Sequence, residues 1–152
     1  MPKYYKKKYY YPGSRDKYSV EHNGFSLTTN STGDAGQTVV PASTTQGMRK
    51  VKHLTVSVAS NSTSQPYPLW WAIVYVPQGT TANTLQIDSG TLYEPNQFVM
   101  GCGVFDFDGG PLRVKCPLSR NLNSGDTIAF ILHSTAANVI YNCCLSYAIT
   151  LQ

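Results

Sequence analysis

The sequence predicts an all-β domain, a sandwich or barrel of about eight strands. Short segments rich in β-branched and aromatic residues alternate with period two, which is typical of half-buried strands. Clusters of Gly, Pro, Asn, Asp and Ser separate these segments at fairly regular spacing. The chain has 152 residues, enough for one domain with a sizeable core.

The expected strands follow one another with polar loops between them. The loops are expected at 31–36 and 61–68, and a long connection over 77–89 has one helical turn at 81–85. The last strand alternates almost strictly and must be tied into a sheet. The strands are residues 18–29, 38–40, 49–59, 69–76, 98–107, 112–118, 127–132 and 139–151.

A β-hairpin is expected around the turn Asp108-Gly109-Gly110-Pro111. A glycine pair takes the positive φ angles that a tight reversal needs. The following strand alternates apolar with basic residues, so it has one apolar and one basic face, the latter with Arg113 and Lys115. We expect strands 98–107 and 112–118 to pair, with Cys102 opposite Cys116, and a second turn at 121–126 to end the unit.

The segment 69–76 is apolar on both faces, which predicts a central strand covered on both sides. Its adjacent tryptophans, Trp70 and Trp71, point to opposite faces of a strand. We expect one of them to fill the core and the other to meet a neighbouring subunit. The alternative is that both lie within one subunit.

The positive charge is concentrated at the N-terminus. Charged residues make up 13% of the chain, about half the usual fraction. Six of the 12 Lys and Arg residues lie in residues 1–17 with a single acid, so this segment has a net charge of +5. Since the net charge of the whole chain is +4, the remaining residues carry a net charge of −1. We therefore divide the chain into a basic Lys/Tyr-rich arm, 1–17, and a domain, 18–152.

The composition of the arm favours nucleic-acid binding. Lysine neutralises phosphates, and tyrosine rings stack on unpaired bases with little sequence preference. A solvated tail or a localisation signal is the alternative. The basic residues at the start of strand 49–59 are a second candidate contact with nucleic acid. The alternative is that they only form a solvated strand end. The candidate residues are Lys3, Tyr4, Tyr5, Lys6, Lys7, Lys8, Tyr9, Tyr10, Tyr11, Arg15 and Lys17 in the arm and Arg49, Lys50 and Lys52 in the strand.

Nothing in the sequence supports an enzyme, a cofactor or a metal site. The three histidines lie in different segments, and no Cys/His metal spacing, phosphate-binding loop or nucleophile–base pair occurs. Asp106 and Asp108 are more simply turn formers than cation ligands. The four cysteines are expected to be reduced core thiols. No apolar run is long enough to insert into a membrane, and the N-terminus lacks the apolar region of a signal peptide.

Several motifs resemble capsid proteins of small circular, Rep-encoding single-stranded DNA viruses, the circovirus-like group. The resemblance covers residues 49–133, and its most specific parts are YEPNQ at 93–97 and RNLNSGD at 120–126. It implies a single eight-stranded antiparallel jelly roll, a T=1 icosahedral homo-oligomeric shell, and a basic arm that faces packaged single-stranded DNA. It also implies a virion protein with an unidentified host receptor, assembled in the host nucleus or cytoplasm.

Two functions from different classes are therefore compared. The first is a capsid subunit that binds nucleic acid. The second is a jelly-roll glycan-binding or ligand-type module without nucleic acid, in which aromatic residues line a sugar site. The basic arm favours the first.

Overall fold

The computed structural model describes residues 18–61, 68–80, 98–106 and 110–150. These ranges contain β-strands and no helix. The arm 1–17 and the predicted helical turn at 81–85 lie outside them. The strands are β1 (Tyr18–Thr28), β2 (Asp34–Val40), β3 (Arg49–Ser60), β4 (Leu69–Val76), β5 (Val99–Phe105), β6 (Leu112–Lys115), β7 (Arg120–Leu122), β8 (Thr127–Ser134) and β9 (Ile140–Thr150).

The strands form two antiparallel sheets. Sheet A has the order β1-β9-β3-β6, with β7 also paired to β3, and sheet B has the order β2-β8-β4-β5. Because β6 and β7 pair with different parts of β3, they occupy the place of one interrupted strand. The antiparallel pairs are nested around β4–β5: β3 with β6 and β7, then β2 with β8, then β1 with β9. This nesting is the jelly roll, so the predicted fold class is confirmed.

The predicted hairpin between 98–107 and 112–118 is wrong. β5 pairs with β4 in sheet B, whereas β6 pairs with β3 in sheet A. The turn between them therefore carries the chain across the sandwich, and Gly110 in it has φ 104°. Local turn chemistry reverses the chain but does not select a partner strand. Both strands present apolar residues to the same core, which includes Met100 and Leu112, so the alternation fits either pairing.

The core lies between the inner faces of the two sheets. Tyr141, Phe130 and Leu54 are among its largest fully buried side chains. Burying one such side chain stabilises the fold by about 1.5–3 kcal/mol. β4 is buried on both faces, as its composition predicted, because a second apolar cluster lies on the outer side of sheet B. That cluster consists of Ala72, Val74, Val76, Ala129 and Ile131.

Two strand boundaries and the cysteines differ from expectation. β2 begins at Asp34, inside the predicted loop 31–36, and β7 overlaps the start of the predicted turn 121–126. All four cysteines are free, but Cys102 and Cys144 are exposed, so only Cys116 and Cys143 are the core thiols that we expected. Cys102 and Cys116 are not opposite each other in a hairpin, because Cys102 lies on β5 of sheet B and Cys116 follows β6 of sheet A.

Candidate nucleic-acid interface

Four of the six cationic residues outside the arm lie together on the outer face of sheet A. They are Lys50 and Lys52 on β3, and Arg113 and Lys115 on β6, and they are called the basic face here. The register places Lys115 opposite Thr55 and Arg113 opposite Ser57. Lys115 is therefore one strand spacing, about 4.8 Å, from β3 at Thr55, three residues beyond Lys52, so the two pairs of cations follow one another along the same face. Lys50, Arg113 and Lys115 are exposed, and Lys52 is half-buried.

A β-bulge in β3 makes this arrangement possible. With strict alternation, Lys50 and Lys52 would face the same side as Leu54, which is fully buried. Instead the register with β9 shifts between Lys52 and Thr55, and His53 takes a φ of 56°. The extra residue reverses the alternation, so the lysines face solvent while Leu54 enters the core.

None of the described acidic residues occupies an outward position on the strands of sheet A. Asp126 is buried, and Asp34 lies on β2 of sheet B. Glu21 takes the inward position opposite Tyr147, where burial and the nearby carboxylate raise the pKa of the tyrosine. Asp106 follows β5, a strand of sheet B. The positive potential of the basic face is therefore not cancelled by the acids that the structure describes.

The arm joins the domain beside the basic face. Tyr18, the first described residue, has its ring centroid 3.5 Å from Nζ of Lys52. It is also paired with Thr150, whose Oγ1 accepts a 2.8 Å hydrogen bond from the backbone N–H of Lys50. The point at which the arm joins the domain therefore lies beside the candidate lysines of β3, at one corner of sheet A.

Arg49 does not belong to the basic face, contrary to the expectation from sequence. It precedes the bulge at an inward position and is buried, with a relative exposure of 9%. Its Nη2 donates a 2.9 Å hydrogen bond to the carbonyl of Pro41. The guanidinium therefore holds the chain before β3 in place.

The RNLNSGD segment builds a corner of the fold. The buried carboxylate of Asp126 accepts hydrogen bonds from the Tyr75 hydroxyl at 2.8 Å and from the backbone N–H groups of Asn123 and Gln78 at 2.8 and 3.0 Å. Burial opposes ionisation, but these hydrogen bonds outweigh it and lower the pKa of Asp126. The Arg120 guanidinium lies 4.0 Å from the centroid of the Tyr75 ring. The motif, which the sequence predicted to be a turn, thus ties β7 to sheet B.

The two tryptophans point to opposite faces of β4, as predicted. Trp71 packs against the core, and its ring lies over Gly103, where an added Cβ would come within 3.0 Å of it. Trp70 faces outward, with its ring centroid 5.6 Å from that of His133. His133 in turn pairs with Asp34, at 2.7 Å between Nδ1 and Oδ1. Of the two, Trp70 is therefore the candidate for contact with a neighbouring subunit.

A groove of about 550 Å³ lies over the outer side of sheet B. The described residues that line it include no aromatic side chain; they are Asn30, Asp34, Ala35, Gly36, Gln37, Thr38, Val76, Thr80, Thr127, Ala129 and Ile131. Within the described ranges there is also no cluster of three or more His, Cys, Asp or Glu residues that could hold a metal. No helix long and apolar enough to cross a membrane occurs in that part of the chain.

Comparison with known proteins finds similar structures but no similar sequence family. No protein-family model and no curated protein matches the chain. A solved chain of turnip yellow mosaic virus is 17% identical with a TM-score of 0.47, over 92% of this chain and 84% of that one. A chain from the empty head of the same virus is 16% identical with a TM-score of 0.45, over 99% and 89%. Similarity at this level does not bear on function.

Proposed function

We propose that this protein is a viral capsid subunit that assembles with copies of itself and binds the packaged genome through its arm and its basic face. The observation that carries the proposal is the continuity of these two elements at one corner of a jelly roll. The arm is joined in sequence to Tyr18, whose ring contacts Lys52. A polyanion lying along sheet A would contact both.

The charge distribution supports a nucleic acid as the partner. Each phosphate that a lysine or arginine neutralises releases counterions, so cations gathered on one surface give an additive, salt-dependent affinity. The five tyrosines at Tyr4, Tyr5 and Tyr9–Tyr11 supply stacking surfaces for unpaired bases. A single-stranded genome satisfies both elements, because its bases are free to stack.

The finer assignment rests on the sequence motifs. The resemblance of residues 49–133 to circovirus-like capsid proteins points to a T=1 icosahedral shell, packaged single-stranded DNA and a virion location. A weakly charged body suits such a shell, since each subunit must place large lateral surfaces against its neighbours. Trp70 is the proposed anchor of one of these contacts, because aromatic residues dominate interface energetics.

No observation favours the glycan-binding alternative. That function requires aromatic side chains at a sugar site, and the described lining of the groove over sheet B contains none. The alternative also leaves the basic face without a partner.

Deleting residues 2–17 tests the role of the arm. Single-strand binding is measured across a salt series for the full chain and the deletion variant. About five phosphate contacts from the arm would contribute a slope of about −3 to −4 in log affinity against log salt. The deletion should remove this contribution and leave the smaller slope of the basic face. Unchanged affinity and slope would show that the arm is not a binding element.

A matched variant separates the lysines from the tyrosines. Replacing Lys3, Lys6, Lys7 and Lys8 with Gln should reduce the magnitude of the slope by about 2.8, while the stacking contribution of about 1–3 kcal/mol per engaged ring persists beside the binding to the basic face. If this variant binds no more tightly at high salt than the variant without residues 2–17, the result would contradict a direct role for the tyrosines and leave them a structural one.

A further inference from the structure

Strand β5 forms an edge of sheet B that, apart from a register shift between Val99 and Gly101, lacks the charged and proline residues that usually protect an edge. Its sequence from Val99 to Phe105 contains no charged residue and no proline. Among the described strands only β4 is hydrogen-bonded to it. Natural proteins guard exposed edges with lysine, proline, bulges or a covering segment, because unpaired N–H and C=O groups invite another strand. A charge-free edge is therefore suited to a partner.

Apolar side chains extend this edge onto the outer face of sheet B. Val104 has a relative exposure of 62%, and Cys102 is also exposed. The register places Trp70 of β4 directly opposite Val104. Because residues opposite each other in adjacent strands point to the same face, the half-buried Trp70 and the exposed Val104 form one surface. Trp70, Cys102 and Val104 are called the edge patch here.

We propose that the edge patch, with the hydrogen-bonding edge of β5, is a contact surface for a second copy of this chain. The inference rests on the proposed function and deepens it, since it names the surface that one capsid subunit presents to another. The apolar side chains would be buried in the contact, and the backbone of β5 from Gly101 to Val104 would hydrogen-bond to the neighbouring subunit.

Charge argues for a second copy as the occupant. The charged residues in the same row of sheet B are Asp34 and His133, which are paired with each other. The edge patch therefore has no unpaired charge in that row. It can contact an identical patch, or another part of the weakly charged domain of a second copy, without charge repulsion. A nucleic acid would find no cation there. The basic face, by contrast, cannot pack against itself because its cations would repel each other.

Two exposed valines on edge strands provide a matched test. Val104 lies on β5 with a relative exposure of 62%, and Val20 lies on β1, an edge of sheet A, with 61%. We expect Val104→Lys to raise the protein concentration needed for assembly by about 100-fold or more, because the contact would have to bury an ammonium group. Val20→Lys should assemble as the wild type does. Sedimentation velocity gives both values, and circular dichroism confirms that each variant is folded.

Thiol labelling of the wild-type protein provides a second test that needs no substitution in the patch. Cys102 and Cys144 are exposed on opposite outer faces, whereas Cys116 and Cys143 are buried, and burial raises the pKa of Cys143 to about 12. A maleimide should therefore label the first two in free subunits. After assembly without nucleic acid, labelling of Cys102 should slow by about tenfold or more while Cys144 continues to react.

The outcomes separate this inference from the proposed function. A wild-type protein that stays monomeric overturns both. Normal assembly of Val104→Lys, or full labelling of Cys102 in assembled particles, overturns the inference alone. If Val104→Lys does not fold, the labelling experiment decides by itself. Equal loss of assembly in Val104→Lys and Val20→Lys would also count against a specific role for the β5 edge.

Discussion

Removing the basic face without touching the arm is a direct test of where the domain meets nucleic acid. Replacing Lys50, Lys52, Arg113 and Lys115 with Gln keeps the hydrogen-bonding capacity of the surface and removes four charges. Each phosphate contact on a single strand contributes about 0.7 to the salt slope, so losing four should reduce its magnitude by about 2.8. Between 0.05 and 0.2 M salt, a slope of 2.8 corresponds to about a 50-fold change in affinity. Fluorescence anisotropy with a labelled oligonucleotide measures both quantities.

Two controls accompany this experiment. Asn121→Gln changes an exposed neutral residue paired with Lys50 and should leave the slope unchanged. Thermal unfolding should shift little in the quadruple variant, since the contact between Lys52 and Tyr18 is worth only about 0.5–1 kcal/mol at an accessible site. If the quadruple variant keeps the wild-type slope, the basic face does not contact phosphates and the proposed path along sheet A is wrong.

Three further predictions concern the corner built by RNLNSGD. Asp126→Asn should lower the free energy of unfolding in urea by about 2–4 kcal/mol, because the buried acceptor of three hydrogen bonds is replaced. A loss below about 0.5 kcal/mol, which is typical of an ordinary surface substitution, would contradict this expectation. Because folding lowers the pKa of Asp126 from 3.8, its contribution to stability should be complete above pH 3.8 and should be lost as the pH falls through its pKa in the folded protein. The free energy of unfolding measured below pH 3.8 should therefore depend less on pH in Asp126→Asn than in wild type. Gly125→Ala should destabilise by about 1–2 kcal/mol more than Gly79→Ala. Both glycines have positive φ, 86° and 81°, but of the two only Gly125 would bring an added Cβ to 2.6 Å from a described atom, in Gln78. Equal losses of stability in the two variants would show that the contact with Gln78 does not cause the difference.

The strands could be predicted from the sequence because burial on one face imposes period two. The last strand illustrates this, since Tyr141, Cys143 and Leu145 alternate and all lie in the core. Partner strands could not be predicted in the same way. The alternation of β5 and β6 is satisfied whether they pair with each other or face each other across the sandwich, and the choice depends on the nesting of all the strands.

The candidate site was predicted only in part for a related reason. The sequence identified Lys50 and Lys52 as cations at a strand start but did not separate them from Arg49, which the structure buries. One signal was present: strict alternation would have put both lysines on the side of Leu54, a conflict that a bulge near His53 resolves. The role of Asp126 could not be predicted, because its partners Tyr75 and Gln78 are distant in sequence.

We propose that this chain forms a closed shell around nucleic acid. The most direct measurement is electron microscopy of the purified protein together with its ultraviolet absorbance ratio after nuclease treatment. We predict uniform isometric particles that retain nuclease-protected nucleic acid, and we predict that deletion of residues 2–17 combined with the four basic-face substitutions yields particles without it. A 16.7 kDa monomer at micromolar concentration and near-physiological salt, or particles of the combined variant that retain as much nucleic acid as wild type, would contradict the account.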